Sequence, residues 1–165
     1  MKCWLPMGVF WAWPGHRRIV SSTSAVAIQR ASRLRGIPTD RQFRKWLAAA
    51  LPAPADLTVR LVNRAEGRRL NRAFRGKDYA TNVLTFVYHD PGASRLQGDL
   101  VLCVPVVARE AREQEKALEA HYAHLTVHGA LHLAGMDHER AREAQRMEAS
   151  EVAILESLGF ADPYA

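Results

Sequence analysis

The chain has 165 residues, 48% of them hydrophobic and 24% charged, with a formal net charge of +6. That length and mix fit one globular domain with a real core, and exclude a disordered chain or a two-domain protein. Two cysteines, Cys3 and Cys103, exclude a disulfide framework, and no apolar run approaches the ~20 residues of a membrane span, so a cytoplasmic protein is expected.

Residues 1–24, MKCWLPMGVFWAWPGHRRIVSSTS, hold three of the four Trp and show no periodicity. Their apolar stretch is broken by Pro6 and Pro14, and the Arg17–Arg18 pair follows it where a signal peptide would place cations first. This stretch is expected to be a disordered or mis-annotated extension before a single domain at 25–165. AVAIQ (25–29) reads as a short strand. Thr39 caps an expected helix, TDRQFRKWLAAAL, with Phe43, Trp46, Leu47 and Leu51 on one face. After the PAPA break, LTVRLVN (57–63) alternates like a half-buried strand. Residues 64–75 follow as a helix with Leu70 and Phe74 on one side. NVLTFVY (82–88) and GDLVLCV (98–104) give two more strands, and Cys103 fits a buried strand position.

From Pro105 onward the pattern is helical: one helix through EAREQEKAL, one over 119–134, and one from about 139 to Leu158, closed by Gly159. The expected fold class is α+β, a four-stranded mixed sheet packed with helices.

Charge is unevenly spread. Residues 1–46 carry nine Lys/Arg against one acid, whereas 105–165 carry six against eleven. Arg60, Arg64, Arg68, Arg69, Arg72, Arg75 and Lys77 cluster around Glu66 alone. A polyanionic partner such as nucleic acid fits this asymmetry.

HGALHLAGMDH (128–138) concentrates three of the seven histidines. On a helix, His128 and His132 lie four apart on one face and both imidazoles reach one point. Gly135 is placed to end the helix, and a sharp turn there would swing His138 back to complete a three-nitrogen site. Three protein ligands with a fourth position open is how catalytic zinc is held, and nickel or cobalt would also suit these nitrogens. His121 and His124, farther up the helix, are expected to flank the site at most. The spacing matches the metzincin protease pattern H-E-x-x-H-x-x-G-x-x-H at every position but one: Gly129 stands where those proteases carry their general base. Asp137 is read as a hydrogen-bond acceptor behind a ligand His ahead of a replacement base.

In RAEGRRLNRAFRGKDYATNVLTF (64–86), Arg64, Arg68 and Arg72 form a stripe best read as a solvated face. Arg75 differs, because it ends the helix before Gly76, where its fork of N–H donors would suit a phosphodiester. Asp78, Thr81 and Asn82 read as turn-formers that bond their own backbone.

The segments LNRAFRGKDYATNVLTF, GDLVLC, EAHYAHLTVHGALHLAGMDH and GFADPY together resemble the YbeY family of bacterial rRNA maturation factors. The resemblance covers most of residues 57–164. It implies a single-strand-specific, metal-dependent endoribonuclease acting in 16S rRNA 3′-end maturation and ribosome quality control. It further implies one Zn2+ on His128, His132 and His138, catalytic roles for Arg75 and His128, and RNA and the ribosome or its proteins as partners. The chain departs from the family at Ala80, where Pro is common, and at Thr85, Phe86 and Val87, where Ser-Phe-Pro is usual. The rival readings are a metallopeptidase, opposed by Gly129, and a ribosome assembly factor with a closed structural zinc site.

Overall fold

The computed structural model describes residues 23–136 and 140–165. Strand β1 (Ala25–Arg30) leads through helix α1 (Asp40–Ala50) to β2 (Ala55–Val62). Helix α2 (Arg64–Arg75) is followed by β3 (Val83–Val87), β4 (Leu96–Cys103) and α3 (Val104–Glu113). Two long helices, α4 (Leu118–Leu133) and α5 (Ala141–Ser157), complete the described elements. The sheet order is β1-β2-β4-β3, with β1, β2 and β4 parallel and β3 antiparallel at the edge. The expected α+β class with a four-stranded mixed sheet is thus observed.

Alternation in the strands divides the core in two. Leu57, Val59 and Leu61 of β2 and Leu96, Leu100 and Leu102 of β4 face one side, where they meet α1, α4 and α5 through Phe43, Trp46, Val127, Leu131, Met147 and Leu155. Val62, Leu84, Phe86, Val101 and Cys103 face the other, where Leu70 and Phe74 of α2 cover them. Cys103 is 1% exposed, as its apolar flanks predict. The edge strand β3 therefore has α2 on one face and α4 on the other.

Local signals set the helix ends. Thr39 and Gln42 form a reciprocal capping box at the start of α1. Asn63 accepts from the Glu66 backbone N–H at 2.9 Å to start α2, and Gly76, at φ 67°, ends it. One expected boundary is wrong. The helix read through EAREQEKAL starts earlier, at Val104, and stops at Glu113, because Glu115 adopts a positive φ of 53° and Lys116 N–H folds back to the Ala111 carbonyl at 2.8 Å. Helical periodicity continued across this turn, so it gave no warning.

Helix α4 is the centre of the molecule. Eleven of its residues are buried, against the sheet and against α1, α3 and α5. It approaches the sheet closely because two glycines lie in the seam. A Cβ on Gly98 would stand 2.2 Å from the Phe86 carbonyl oxygen and 2.4 Å from Leu133 Cδ2. A Cβ on Gly129 would stand 2.2 Å from Leu100 Cδ1 and 3.3 Å from Thr85 Oγ1.

Candidate metal and RNA-cleavage site

His121, His124, His128 and His132 form a ladder along one side of α4, with successive ring centroids 6.4, 6.4 and 4.6 Å apart. The last two rings meet most closely, with their Nε2 atoms 3.1 Å apart. Each of these rings is held from behind. His128 Nδ1 lies 2.7 Å from Glu151 Oε1, and His132 Nδ1 lies 3.0 Å from the Met136 carbonyl oxygen. A carbonyl and an ionised carboxylate only accept, so these partners place a proton on both Nδ1 atoms. Their Nε2 atoms then face each other across a contact that calls for one cation between them, a proton or a metal. Two nitrogens bound to one zinc at roughly 2.0–2.1 Å are separated by about as much. The donor set fits a divalent metal.

The turn that completes this arrangement is the one expected from Gly135. At φ 94°, it donates its N–H to the His132 carbonyl at 3.0 Å, and Met136 N–H returns to the Leu131 carbonyl at 3.0 Å. This brings the Met136 carbonyl back over His132. The third expected ligand, His138, and its neighbour Asp137 lie outside the described residues. Among the described residues, no group of three or more His, Cys, Asp or Glu side chains is disposed to hold a metal.

Glu151 of α5 anchors the ladder. It is 1% exposed, yet its Oε1 accepts from His128, and its Oε2 accepts from His124 Nε2 at 3.0 Å and from the Tyr164 hydroxyl. Burial alone would raise its carboxyl. The hydrogen bonds from His124, His128 and Tyr164 outweigh burial and hold the group down at about 2. Sequence reasoning missed Glu151, although it had a signal: Met147, Glu151 and Leu155 recur every fourth residue on the buried face of α5. An acid in that row needs partners.

The upper ladder is tied to the segment that follows Arg75. His121, 3% exposed, lies with Nε2 3.1 Å from Glu110 Oε2, the same oxygen that accepts from Asn82 Nδ2 at 3.0 Å. Burial opposes charge on Glu110, but these two donors hold its carboxyl below its ordinary value. His121 and His124 thus do more than flank: one joins α4 to the loop before β3, and the other shares the carboxylate behind His128.

Arg75 is half-buried at the end of α2, next to Phe74, whose ring packs edge-on against Phe86 at 5.0 Å. It makes no hydrogen bond or ion pair with a described residue. The structure brings His128 and His132 together. Arg75 touches neither, and its helix packs on the opposite face of β3 from α4. The loop between Arg75 and β3 is pinned three times: Asn71 Nδ2 donates to the Tyr79 carbonyl at 2.7 Å, Arg68 grips Asp78 with bonds of 2.9 and 2.6 Å, and Asn82 Oδ1 accepts from Val83 N–H at 2.7 Å. Asn82 therefore bonds local backbone, as expected. Asp78 does not: the guanidinium on the α2 surface captures it. Arg68 and Arg72 are 57% and 72% exposed, in keeping with a solvated stripe.

The sequence profile described as endoribonuclease YbeY matches residues 29–159. A curated relative of that name from Aromatoleum aromaticum is 60% identical over 149 residues, covering 88% of this chain and 95% of its own. Another, from Stenotrophomonas maltophilia, is 58% identical over 149 residues, covering 85% and 92%. The solution structure of a Thermotoga maritima protein aligns with a TM-score of 0.54 at 24% identity, covering 84% of this chain and 97% of that one, and so shares the fold.

Proposed function

Because the chain belongs to the endoribonuclease YbeY family, we propose that it is a metal-dependent enzyme that cuts single-stranded RNA. Its setting is ribosomal RNA processing, with 16S 3′-end maturation and ribosome quality control as its tasks in the cytoplasm, and the ribosome as its partner. The observation that carries the metal is the pair of Nε2 atoms 3.1 Å apart, with both Nδ1 atoms already committed. His128 and His132 would hold Zn2+ together with His138.

A bound divalent ion there supplies a Lewis acid for a phosphoryl oxygen or for the attacking water. The chain's own residues do the rest. Glu151 keeps His128 in the tautomer that offers Nε2, and the Met136 carbonyl does the same for His132. Arg75, which makes no hydrogen bond or ion pair with a described residue, would donate to non-bridging phosphate oxygens of an RNA strand that crosses the β3 edge from the α2 side to the histidines. Losing a donor of that kind costs on the order of 100-fold in rate. The surplus of Arg on α2 favours a polyanion over a peptide. Gly129 argues the same way: its α-carbon faces Leu100 and Thr85, so the position that carries a base in metzincin proteases has no room for one.

The test is cleavage of a ribosomal RNA fragment spanning an immature 16S 3′ end, using purified protein loaded with Zn2+. Arg75→Ala and His128→Ala variants are prepared identically. Cutting by the wild type alone supports the proposal. Equal cutting by all three exposes a contaminant, and no cutting by any of them turns the reading toward an assembly factor.

A further inference from the structure

Residues 159–164 return from the end of α5 to the histidine ladder. Gly159, at φ 89°, turns the chain, and Phe160 sets its ring edge-on against Trp46 at 6.0 Å. Lys116 Nζ then grips the Pro163 carbonyl at 2.5 Å, and Asp162 caps the Tyr164 N–H at 2.8 Å. These contacts deliver the Tyr164 ring to His124, centroid to centroid at 5.3 Å, and its hydroxyl to Glu151 Oε2. An exposed C-terminal tyrosine needs none of this to stay in solution, and it reaches a carboxylate that is 1% exposed.

The two oxygens of Glu151 are divided between tasks. Oε1 serves His128 alone, while Oε2 takes His124 and Tyr164 together. A buried carboxylate holds its charge and its orientation through the donors it accepts. With Tyr164 present, Oε2 is satisfied by two donors, the plane of the carboxylate is fixed, and Oε1 faces Nδ1 of His128. Without the hydroxyl, Oε2 keeps only His124, and the carboxylate can tilt toward that ring and away from His128. The phenol is well suited to this role, since burial and the facing carboxylate push its acidity well out of the neutral range and keep it a donor.

We propose that Tyr164 is a positioning residue for the metal site: its hydroxyl, carried in by the 159–164 strap, locks Glu151 and thereby aims the Nε2 lone pair of His128. This rests on the metal reading given above. Metal affinity is then set partly by a segment far along the chain from the ligands, and anything that lifts the strap loosens the metal.

The experiment uses the full chain with Tyr164→Phe, which keeps the ring and its packing on His124. Tyr88→Phe serves as control, because it also removes a hydroxyl bonded to a carboxylate, Asp99, at 2.8 Å on another part of the sheet. Zinc affinity is measured by chelator competition, and the site geometry by the visible spectrum of the Co2+-loaded protein. Tyr164→Phe is expected to bind zinc about 10-fold more weakly, the lower end for a group that supports a ligand, with a shifted cobalt spectrum. Tyr88→Phe should match the wild type. Long-range 1H–15N spectra of the metal-free protein give a second readout, with His128 protonated at Nδ1 in the wild type and mixed tautomers in Tyr164→Phe. Unchanged zinc affinity together with an unchanged His128 tautomer overturns the proposal, even if the variant melts earlier. A wild type that binds no zinc overturns both the metal reading and this one, whereas equal affinity with an unchanged His128 tautomer overturns only the role of Tyr164.

Discussion

Replacing Gly129 with Glu would recreate the H-E-x-x-H sequence of a metalloprotease, and the structure says that it damages the fold without creating an enzyme. The new Cβ would stand 2.2 Å from Leu100 Cδ1 and 3.3 Å from Thr85 Oγ1, and Leu100 of β4 is fully buried beneath α4. Overpacking of this kind costs about 1–3 kcal/mol. A carboxyl forced into the seam without a partner adds roughly 2–4 kcal/mol even after it takes up a proton. Replacing Gly inside a helix returns about 1 kcal/mol. The net loss is roughly 2–6 kcal/mol, a large fraction of the 5–15 kcal/mol typical of a domain. At about 2–4 °C per kcal/mol for a chain of this size, melting should fall by at least ~4 °C. Gly129→Ala carries the packing cost without the carboxyl and should lose only about 0–2 kcal/mol. The assay is thermal and urea unfolding of the three proteins, with casein hydrolysis alongside. A Gly129→Glu protein that melts with the wild type would falsify the seam argument, and one that cleaves casein would revive the peptidase reading.

Gly98→Ala should be worse than Gly129→Ala, because its Cβ meets the Phe86 carbonyl oxygen, which is ladder backbone and cannot swing aside. A loss of about 2–3 kcal/mol in urea unfolding is expected, and a neutral result would mean that β3 and β4 can separate locally. Acid stability carries the signature of Glu151, held at about 2 against an ordinary value of 4.5. A carboxyl depressed in the native state stabilises it fully above the ordinary value and loses that contribution as pH falls through 4.5 toward 2. Unfolding free energy of the metal-free wild type should therefore drop across that window. Glu151→Gln should be weaker at neutral pH and flatter below 4.5, and parallel curves would show that the carboxylate is not the titrating group. Asn82→Ala removes both the bond to Glu110 and the acceptor for Val83 N–H. It should cost about 1–2 kcal/mol and lower RNA cleavage more than zinc affinity, since it frees the loop after Arg75 and leaves the His128–His132 pair alone; a matching drop in zinc affinity would contradict that division.

Local rules are enough to read the helix that carries His128 and His132 at one point, its end at Gly135, the helix cap at Thr39, and the alternation that buries one side of β2. These depend on spacing of 3.6 or two residues and on the backbone freedom of single residues, which the chain carries in itself. The fold class follows from the same signals. Tertiary structure decided the rest. Glu151 lies 23 residues from His128 and Tyr164 lies 13 residues beyond that, so no local pattern couples them. The surface stripe of α2 claimed Asp78, a residue that reads as a turn-former, because a guanidinium across the turn outcompetes the backbone for its carboxylate. Gly129 reads in sequence only as a missing base. Packing gives the physical reason: α4 lies so close to Leu100 that a side chain at that position must displace Leu100 or the helix.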